Sequence, residues 1–329
     1  MRASYLEIPK TLKESDQDIP IPGSGDVRIK LRQIGICGSD VHLFLGHRPL
    51  SVPTVIGHEG LGEIDAVGKD VPETRIGERV VVEPNIPCGH CTYCKRGRGN
   101  ICPNKRTIGL SEQGCFAEYV IVPSDFAWRV PVEVSDADAV TIEPTAAGVH
   151  ALKISSAQPG DAIAVIGPGA IGLLLTHVAL ALGYKVYVSE INRDKIEVAQ
   201  SMGAVPEEGN PLKTEWEKAG VMAIFECAGA AATVSMAIEN APRGAEVVIL
   251  GLAGEKASFQ PLQLVREGIR IVPSLIYDHP SDFKKTLELI ASKTIRPGQI
   301  ISKYMPFSEL QSALELASKG TETKIVIEI

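Results

Sequence analysis

Short stretches of alternating apolar and polar residues occupy roughly the first 145 positions of this chain, and longer unbroken apolar runs follow. Val27-Arg28-Ile29-Lys30-Leu31 is typical of the first part: a period of two, set among Pro and Gly turns, which predicts a small, mostly antiparallel β domain. Ala162 to Gly183 is nearly all apolar and long enough to suggest a membrane span, but Gly167-Pro168-Gly169 cuts it in two. Ala162–Ile166 then reads as a buried parallel strand and Ala170–Leu182 as the helix that covers it. Lys185–Glu190, Val221–Glu226 and Ala245–Leu250 continue a doubly wound α/β pattern. In the last fifty residues, Ser281 is expected to cap a helix bearing Phe283, Leu287 and Ile290 on one face. Ser308 is expected to cap another through Leu310, Leu314 and Leu316, and Lys324–Ile329 to form a final strand.

These elements predict two domains in a chain of 329 residues. The expected division is a mostly-β domain over 1–145 and 276–329, interrupted by a dinucleotide-binding unit over 146–275. The turn between the first strand and helix of that unit, Gly167-Pro168-Gly169-Ala170-Ile171-Gly172, is G-x-G-x-x-G in the context that gives it meaning. Gly167 suits the tight turn, Gly169 the approach of a pyrophosphate to backbone N–H groups, and Gly172 close helix–strand packing. The second strand ends on Glu190, 18 residues beyond Gly172, where a carboxylate can accept hydrogen bonds from ribose hydroxyls. It would also repel a 2′-phosphate, so NAD is expected over NADP, although Arg193 lies close enough to favour the opposite choice.

Cysteine spacing adds a metal. Cys88, Cys91, Cys94 and Cys102 form C-x2-C-x2-C-x7-C, and four thiolates can fill a tetrahedral zinc site with no position left for substrate. That is a structural site; disulfides or scattered core cysteines are the alternatives. Cys37, His58, Glu59 and Glu143 offer a second set: one thiolate, one imidazole and two carboxylates. Catalytic zinc takes about three protein ligands, so one carboxylate is expected to bind and the other to stand beside it. His58-Glu59 is not H-E-x-x-H, because position 62 is Gly.

The formal net charge of -7 gives no general attraction to nucleic acid or anionic membranes. The seven cysteines, an odd number, and an N-terminal stretch broken by Lys10, Lys13, Glu14 and Asp16 lead to an expectation of reduced thiols in the cytoplasm.

In order along nearly the whole chain, Gly35-Ile36-Cys37-Gly38-Ser39-Asp40-Val41-His42, Gly57-His58-Glu59, Gly77-Glu78-Arg79-Val80, the four-cysteine lobe, Glu143-Pro144, the glycine turn and Glu226-Cys227-Ala228-Gly229-Ala230 resemble the zinc-dependent medium-chain dehydrogenase/reductase superfamily. The closest pattern is its polyol and secondary-alcohol branch of sorbitol, butanediol and threonine dehydrogenases. The resemblance implies a GroES-like catalytic domain with an inserted Rossmann domain, two zinc ions per subunit, and NAD-dependent oxidation of a secondary alcohol. It also implies a homodimer or homotetramer. By the same resemblance Cys37 and His58 are catalytic zinc ligands, with Glu59 or Glu143 as third ligand or holder of a water. Ser39 and His42 correspond to the family's proton relay. Cys115 and Cys227 do not match the second cysteine of ethanol-type enzymes. Where sorbitol dehydrogenases present an Arg-Tyr pair to the polyol, this chain has Ile276-Tyr277, which removes a guanidinium. Between Gly203 and Phe225 the chain is shorter than most relatives, with Glu207-Glu208-Gly209-Asn210-Pro211 in place of a longer excursion. Two other readings stand beside this one: an NADPH-dependent carbonyl or alkene reductase of the same fold, and a non-catalytic dinucleotide-binding protein.

Overall fold

A computed structural model of the chain describes residues 1–48, 50, 53–208 and 213–329. Two compact units result: Met1–Glu143 with Leu287–Ile329, and Pro144–Thr286. The first unit is built on Asp26–Gly35, whose alternation buries Val27, Ile29 and Leu31. This strand pairs antiparallel with Glu59–Val67, Tyr119–Pro123 and Ile325–Glu328. Arg79–Val82 and Ala127–Arg129 extend the sheet on one side, and Lys303–Pro306 joins Ile325–Glu328 in parallel on the other. The C-terminal strand therefore sits beside the segment that leads into Cys37.

In the second unit six strands form one parallel sheet in the order Val205–Glu208, Lys185–Glu190, Ala162–Ile166, Val221–Glu226, Glu246–Ile249, Arg270–Pro273. Ala162–Ile166 is buried at every position, as a strand covered on both faces requires. The order reverses direction between Ala162–Ile166 and Val221–Glu226, which is where ligands of doubly wound sheets bind, outside the carboxyl ends of the strands. Helix Ala170–Ala181 starts directly after the glycine turn.

Three sequence expectations move: Ser281 is the first residue of helix Ser281–Ala291 rather than its cap, and its hydroxyl donates to Asp278 O at 3.3 Å. The return to the first unit falls at Leu287 rather than 276, because Asp282 is held by His150, and Tyr277 stacks edge-on against Phe283, all within the second unit. Ser308 is not the cap of the last helix: Phe307–Glu309 form a 3₁₀ turn, and Leu310–Ser318 follows with Glu309 at the cap position. Glu207 belongs to the edge strand and accepts a hydrogen bond from Trp216 Nε1 at 2.6 Å, whereas Gly209, Asn210 and Pro211 lie outside the described residues. No helix among the described residues is long and apolar enough to cross a membrane.

Candidate active site

Cys37 stands at the N-terminus of the short helix Gly38–Phe44, half-buried. The backbone N–H of Cys37 donates to Asp40 Oδ2 at 2.9 Å, so the first turn of this helix fixes where the thiol sits. Asp40 is completely buried, and its other oxygen, Oδ1, lies 3.1 Å from His58 Nδ1. A carboxylate only accepts, so Nδ1 carries the proton and Nε2 is the nitrogen left for a metal. His58 and Glu59 enter on the strand Glu59–Val67 and the residue before it. The result is that donor atoms of Cys37, His58 and Glu59 all lie within 4.8 Å of one another.

Glu59 is 1% exposed, and its Oε1 has no hydrogen-bond partner. Oε2 is ion-paired with Lys324 Nζ. The same ammonium, 2% exposed, donates to the carbonyl of Ile36 at 3.1 Å, so one cation joins the segments that carry Cys37 and Glu59. Gly35 leaves room for this pair: a Cβ there would stand 2.0 Å from Glu59 Oε2 and 3.0 Å from Lys324 Cε. Burial opposes the charge on Lys324, but the charges of Glu59, Cys37 and Glu143 outweigh it and hold the ammonium above its ordinary range. Burial likewise opposes protonation of His58, and the charges of Asp40 and Cys37 override it, raising the imidazole well above its usual value. A pocket that forces protons onto its bases is short of positive charge. Its sulfur, imidazole and unpartnered carboxylate oxygen fit a zinc ion.

Glu143 lies in the first turn of helix Ile142–Ile154. It is not in the close cluster, although its charge acts on Lys324. Ser39 is half-buried one residue before Asp40, and His42 is exposed on the same helix with its ring centroid 5.6 Å from that of His47. Phe44 and Phe116 are buried in the hydrophobic core of the first unit and so are packing residues. Cys115 is fully buried, with burial pushing its thiol up to about 12; burial and the charge of Glu226 also push Cys227 up. Neither is in a metal-type cluster among the described residues.

In the four-cysteine lobe, sulfur–sulfur distances are 3.4 Å for Cys91–Cys94, 3.8 Å for Cys91–Cys102 and 3.9 Å for Cys88–Cys94. Four sulfurs at zinc–thiolate bond length on a tetrahedron stand about 3.8 Å apart, and a disulfide about 2 Å, so the set fits one zinc ion. Backbone N–H groups of His90 and Cys91 pull Cys88 down to about 6, while desolvation and the Cys91 sulfur push Cys94 up to about 12. The paired segments Asn85–Ile86 and Arg106–Thr107 close the base of the lobe. Lys95, Arg96 and Arg98 are exposed, but Lys105 is partly buried, donates to Asn100 O at 3.1 Å and feels the charge of Cys102. Replacing Cys91 by serine is expected to halve bound zinc from two ions to one per chain and to open 86–107 to proteolysis. Metal analysis and limited digestion of the variant measure both.

The dinucleotide turn is equally constrained. Gly167 has φ of 83°, and a Cβ on it would stand 2.7 Å from Ala228. A Cβ on Gly172 would stand 2.3 Å from the Gly167 carbonyl, whereas Gly169 faces open space. Ala170 and Ile171 form the first turn of the helix, whose unpaired N–H groups suit a pyrophosphate. Glu190 and Arg193 line a surface groove of about 520 Å³, and Glu190 Oε1 accepts from the N–H groups of Ile191 and Asn192 at 2.7 and 3.1 Å. Glu226, fully buried, accepts from Ala228 N, Gly229 N and Thr233 Oγ1 at the start of helix Ala231–Glu239.

Three side chains with evident work were not assigned roles from sequence. Asp40 and Glu226 lie inside the motifs around Cys37 and Cys227, and an acid three residues beyond a helix-starting Cys is the available signal for Asp40. For Lys324 the signal was a single cation at the head of an apolar strand.

Such a constellation defines an oxidoreductase with a resident metal and a bound dinucleotide. Residues 23–132 match the alcohol dehydrogenase GroES-like domain, and residues 170–292 match the zinc-binding dehydrogenase domain. The chain is 31% identical to the starvation-sensing protein RspB of Escherichia coli K12, over 96% of this chain and 95% of that protein. It is 30% identical to a sorbitol dehydrogenase of Bacillus subtilis, over 96% and 93%. A crystal structure of the alcohol dehydrogenase RspB from E. coli CFT073, complexed with NADH, superposes with a TM-score of 0.94 at 30% identity, covering 100% of this chain and 99% of that one. The chain therefore belongs to the zinc-binding alcohol dehydrogenases of the medium-chain superfamily, in the branch that includes the polyol dehydrogenases. It is an NAD(P)-dependent alcohol dehydrogenase with the fold expected from its sequence: a GroES-like domain and a Rossmann-type domain.

Proposed function

We propose that the protein oxidises the secondary alcohol of a polyol, cyclitol, sugar acid or small diol to a ketone, with NAD as hydride acceptor. The observation that carries this reading is the convergence of Cys37, His58 and Glu59 on one buried point in a chain that also has the complete glycine turn. A zinc ion held there supplies Lewis acidity to the alcohol oxygen, and the dinucleotide supplies the carbon that takes the hydride. Cys37 and His58 hold the ion, with Glu59 as third ligand and Glu143 as its neighbour. Asp40 fixes the His58 tautomer and ring, which preorganises the site. Ser39, half-buried, and His42, exposed three residues further along the same helix, together form the relay that carries the proton out to water. Gly167, Gly169, Ala170, Ile171 and Gly172 hold the pyrophosphate, and Glu190 with Arg193 the adenosine ribose. Cys88, Cys91, Cys94 and Cys102 hold the structural zinc.

Intact metal ligands set this reading ahead of a zinc-free NADPH-dependent reductase and of a non-catalytic sensor. A homodimer or homotetramer is proposed from the resemblance to lobe-bearing relatives, and a reducing cytoplasm from seven free cysteines. The test is reduction of NAD and NADP by the zinc-loaded protein with diols, pentitols, hexitols, inositols, sugar acids and L-threonine. Turnover with NAD at a higher kcat/KM than with NADP is expected. Turnover with none of them, with two zinc ions and NADH bound, would overturn the enzymatic reading for these substrate classes.

A further inference from the structure

Ile276 has φ of 47°. Among the described residues the other non-glycine residues with positive φ are Lys10, in the turn between two paired strands, and Lys293, just beyond a helix end. Those are places where the left-handed conformation is ordinary; for a β-branched side chain outside such a turn it carries strain. The segment that contains it, 274–280, leaves the carboxyl end of Arg270–Pro273 in the parallel sheet.

That edge is already crowded. A Cβ on Gly167 would meet Ala228, and one on Gly251 would stand 2.3 Å from Gly229 N, so the turns after three strands form a continuous packed rim. Ser274 N donates to Ile249 O at 2.9 Å and carries the rim on to 274–280. If Glu190 holds the adenosine ribose on one side of the switch point, the rim formed after Glu226, Ile249 and Pro273 on the other side would receive the nicotinamide half.

The far end of 274–280 is tied through Asp278 to a side-chain cluster, while Tyr277 packs edge-on against Phe283. Asp282, 1% exposed, takes Asp278 N on Oδ2 at 2.8 Å, with His150 Nδ1 2.7 Å from the same oxygen; Lys153 Nζ lies 2.7 Å from Oδ1. Asp282 N returns a bond to Asp278 O at 3.1 Å. His150 and Lys153 both come from helix Ile142–Ile154. Burial opposes ionisation of Asp282, but its bonds to His150, Lys153 and the Asp278 N–H outweigh burial and hold it at about 2. His150, Asp278 and Asp282 also have the donor spacing of a metal site, yet the Lys153 ammonium already stands among these carboxylates, so the cluster is an ion-pair clasp.

We propose that the clasp of His150, Lys153 and Asp282 is a positioning device for the coenzyme: it holds Ile276 in its strained conformation so that 274–280 completes the nicotinamide end of the crevice. The inference rests on the dinucleotide-binding reading. Released from the clasp, Ile276 leaves the left-handed region, and binding must restore it at a cost.

The test is titration of the zinc-loaded protein with NADH, followed by nicotinamide fluorescence. Asp282→Asn is expected to raise Kd about tenfold, the size of effect such backbone strain supports. Adding Ile276→Gly, which accepts this φ without strain, is expected to return Kd to within about threefold of wild type, with both zinc ions retained throughout. Should Asp282→Asn fail to fold, Lys153→Met, which removes a half-exposed partner, serves in the same comparison. Unchanged affinity in the single variant, or a loss that glycine does not restore, would overturn the clasp and leave the coenzyme reading standing. Failure of the wild type to bind NADH would overturn both.

Discussion

Replacing Cys37 by serine is expected to lower turnover by at least about a thousandfold, a loss of roughly 4 kcal/mol of transition-state stabilisation. The thiolate is one of three donors within 4.8 Å, and a serine hydroxyl is a poor zinc ligand that stays protonated. The variant should lose the catalytic ion and keep the ion of the four-cysteine lobe, because Cys88, Cys91, Cys94 and Cys102 form their own cluster with no residue shared. Its NADH affinity should be near that of wild type, since the glycine turn belongs to the other unit. Metal analysis, NADH titration and steady-state rates on one preparation separate these outcomes. Equal turnover in the variant would remove Cys37 from the mechanism.

In the zinc-free protein, Lys324→Met is expected to cost about 3–5 kcal/mol of stability, a large part of what a domain possesses. The substitution keeps much of the volume but leaves the Glu59 carboxylate buried beside a methionine, and it frees the Ile36 carbonyl as well. The second change Glu59→Gln should recover much of the loss, because a neutral amide needs no counter-ion. Denaturant unfolding of wild type, both single variants and the double variant measures the coupling. Additive effects would mean that the pair does not act as one unit.

Local chemistry made much of this molecule readable in advance. The glycine turn, the lobe and the Cys37 and His58 motifs are defined by neighbours within a few residues, and the φ of Gly167 and the sulfur spacings agree with what those neighbours require. Lys324 could not be found in this way. Its partners, Ile36 and Glu59, are separated from it by most of the chain and meet it only because Ile325–Glu328 returns to pair with Asp26–Gly35. The division at Leu287 is hidden for the same reason: the ties of Asp282 to His150 and of Tyr277 to Phe283 are tertiary, and apolar period carries no trace of them. The strain at Ile276 was invisible too, since nothing in a run of Leu275-Ile276-Tyr277 signals a left-handed residue.

The proposed reaction is hydride transfer from an alcohol carbon to the nicotinamide, dependent on a zinc ion that Cys37 and His58 would hold. Its most direct test uses an alcohol from the panel carrying deuterium on the reacting carbon, with NAD and the zinc-loaded protein, and mass spectrometry of the reduced coenzyme. One deuterium per NADH formed is expected, with Cys37→Ser forming NADH at no more than about a thousandth of the wild-type rate. Reduced coenzyme without deuterium, or deuterated NADH at undiminished rate from Cys37→Ser, would contradict it.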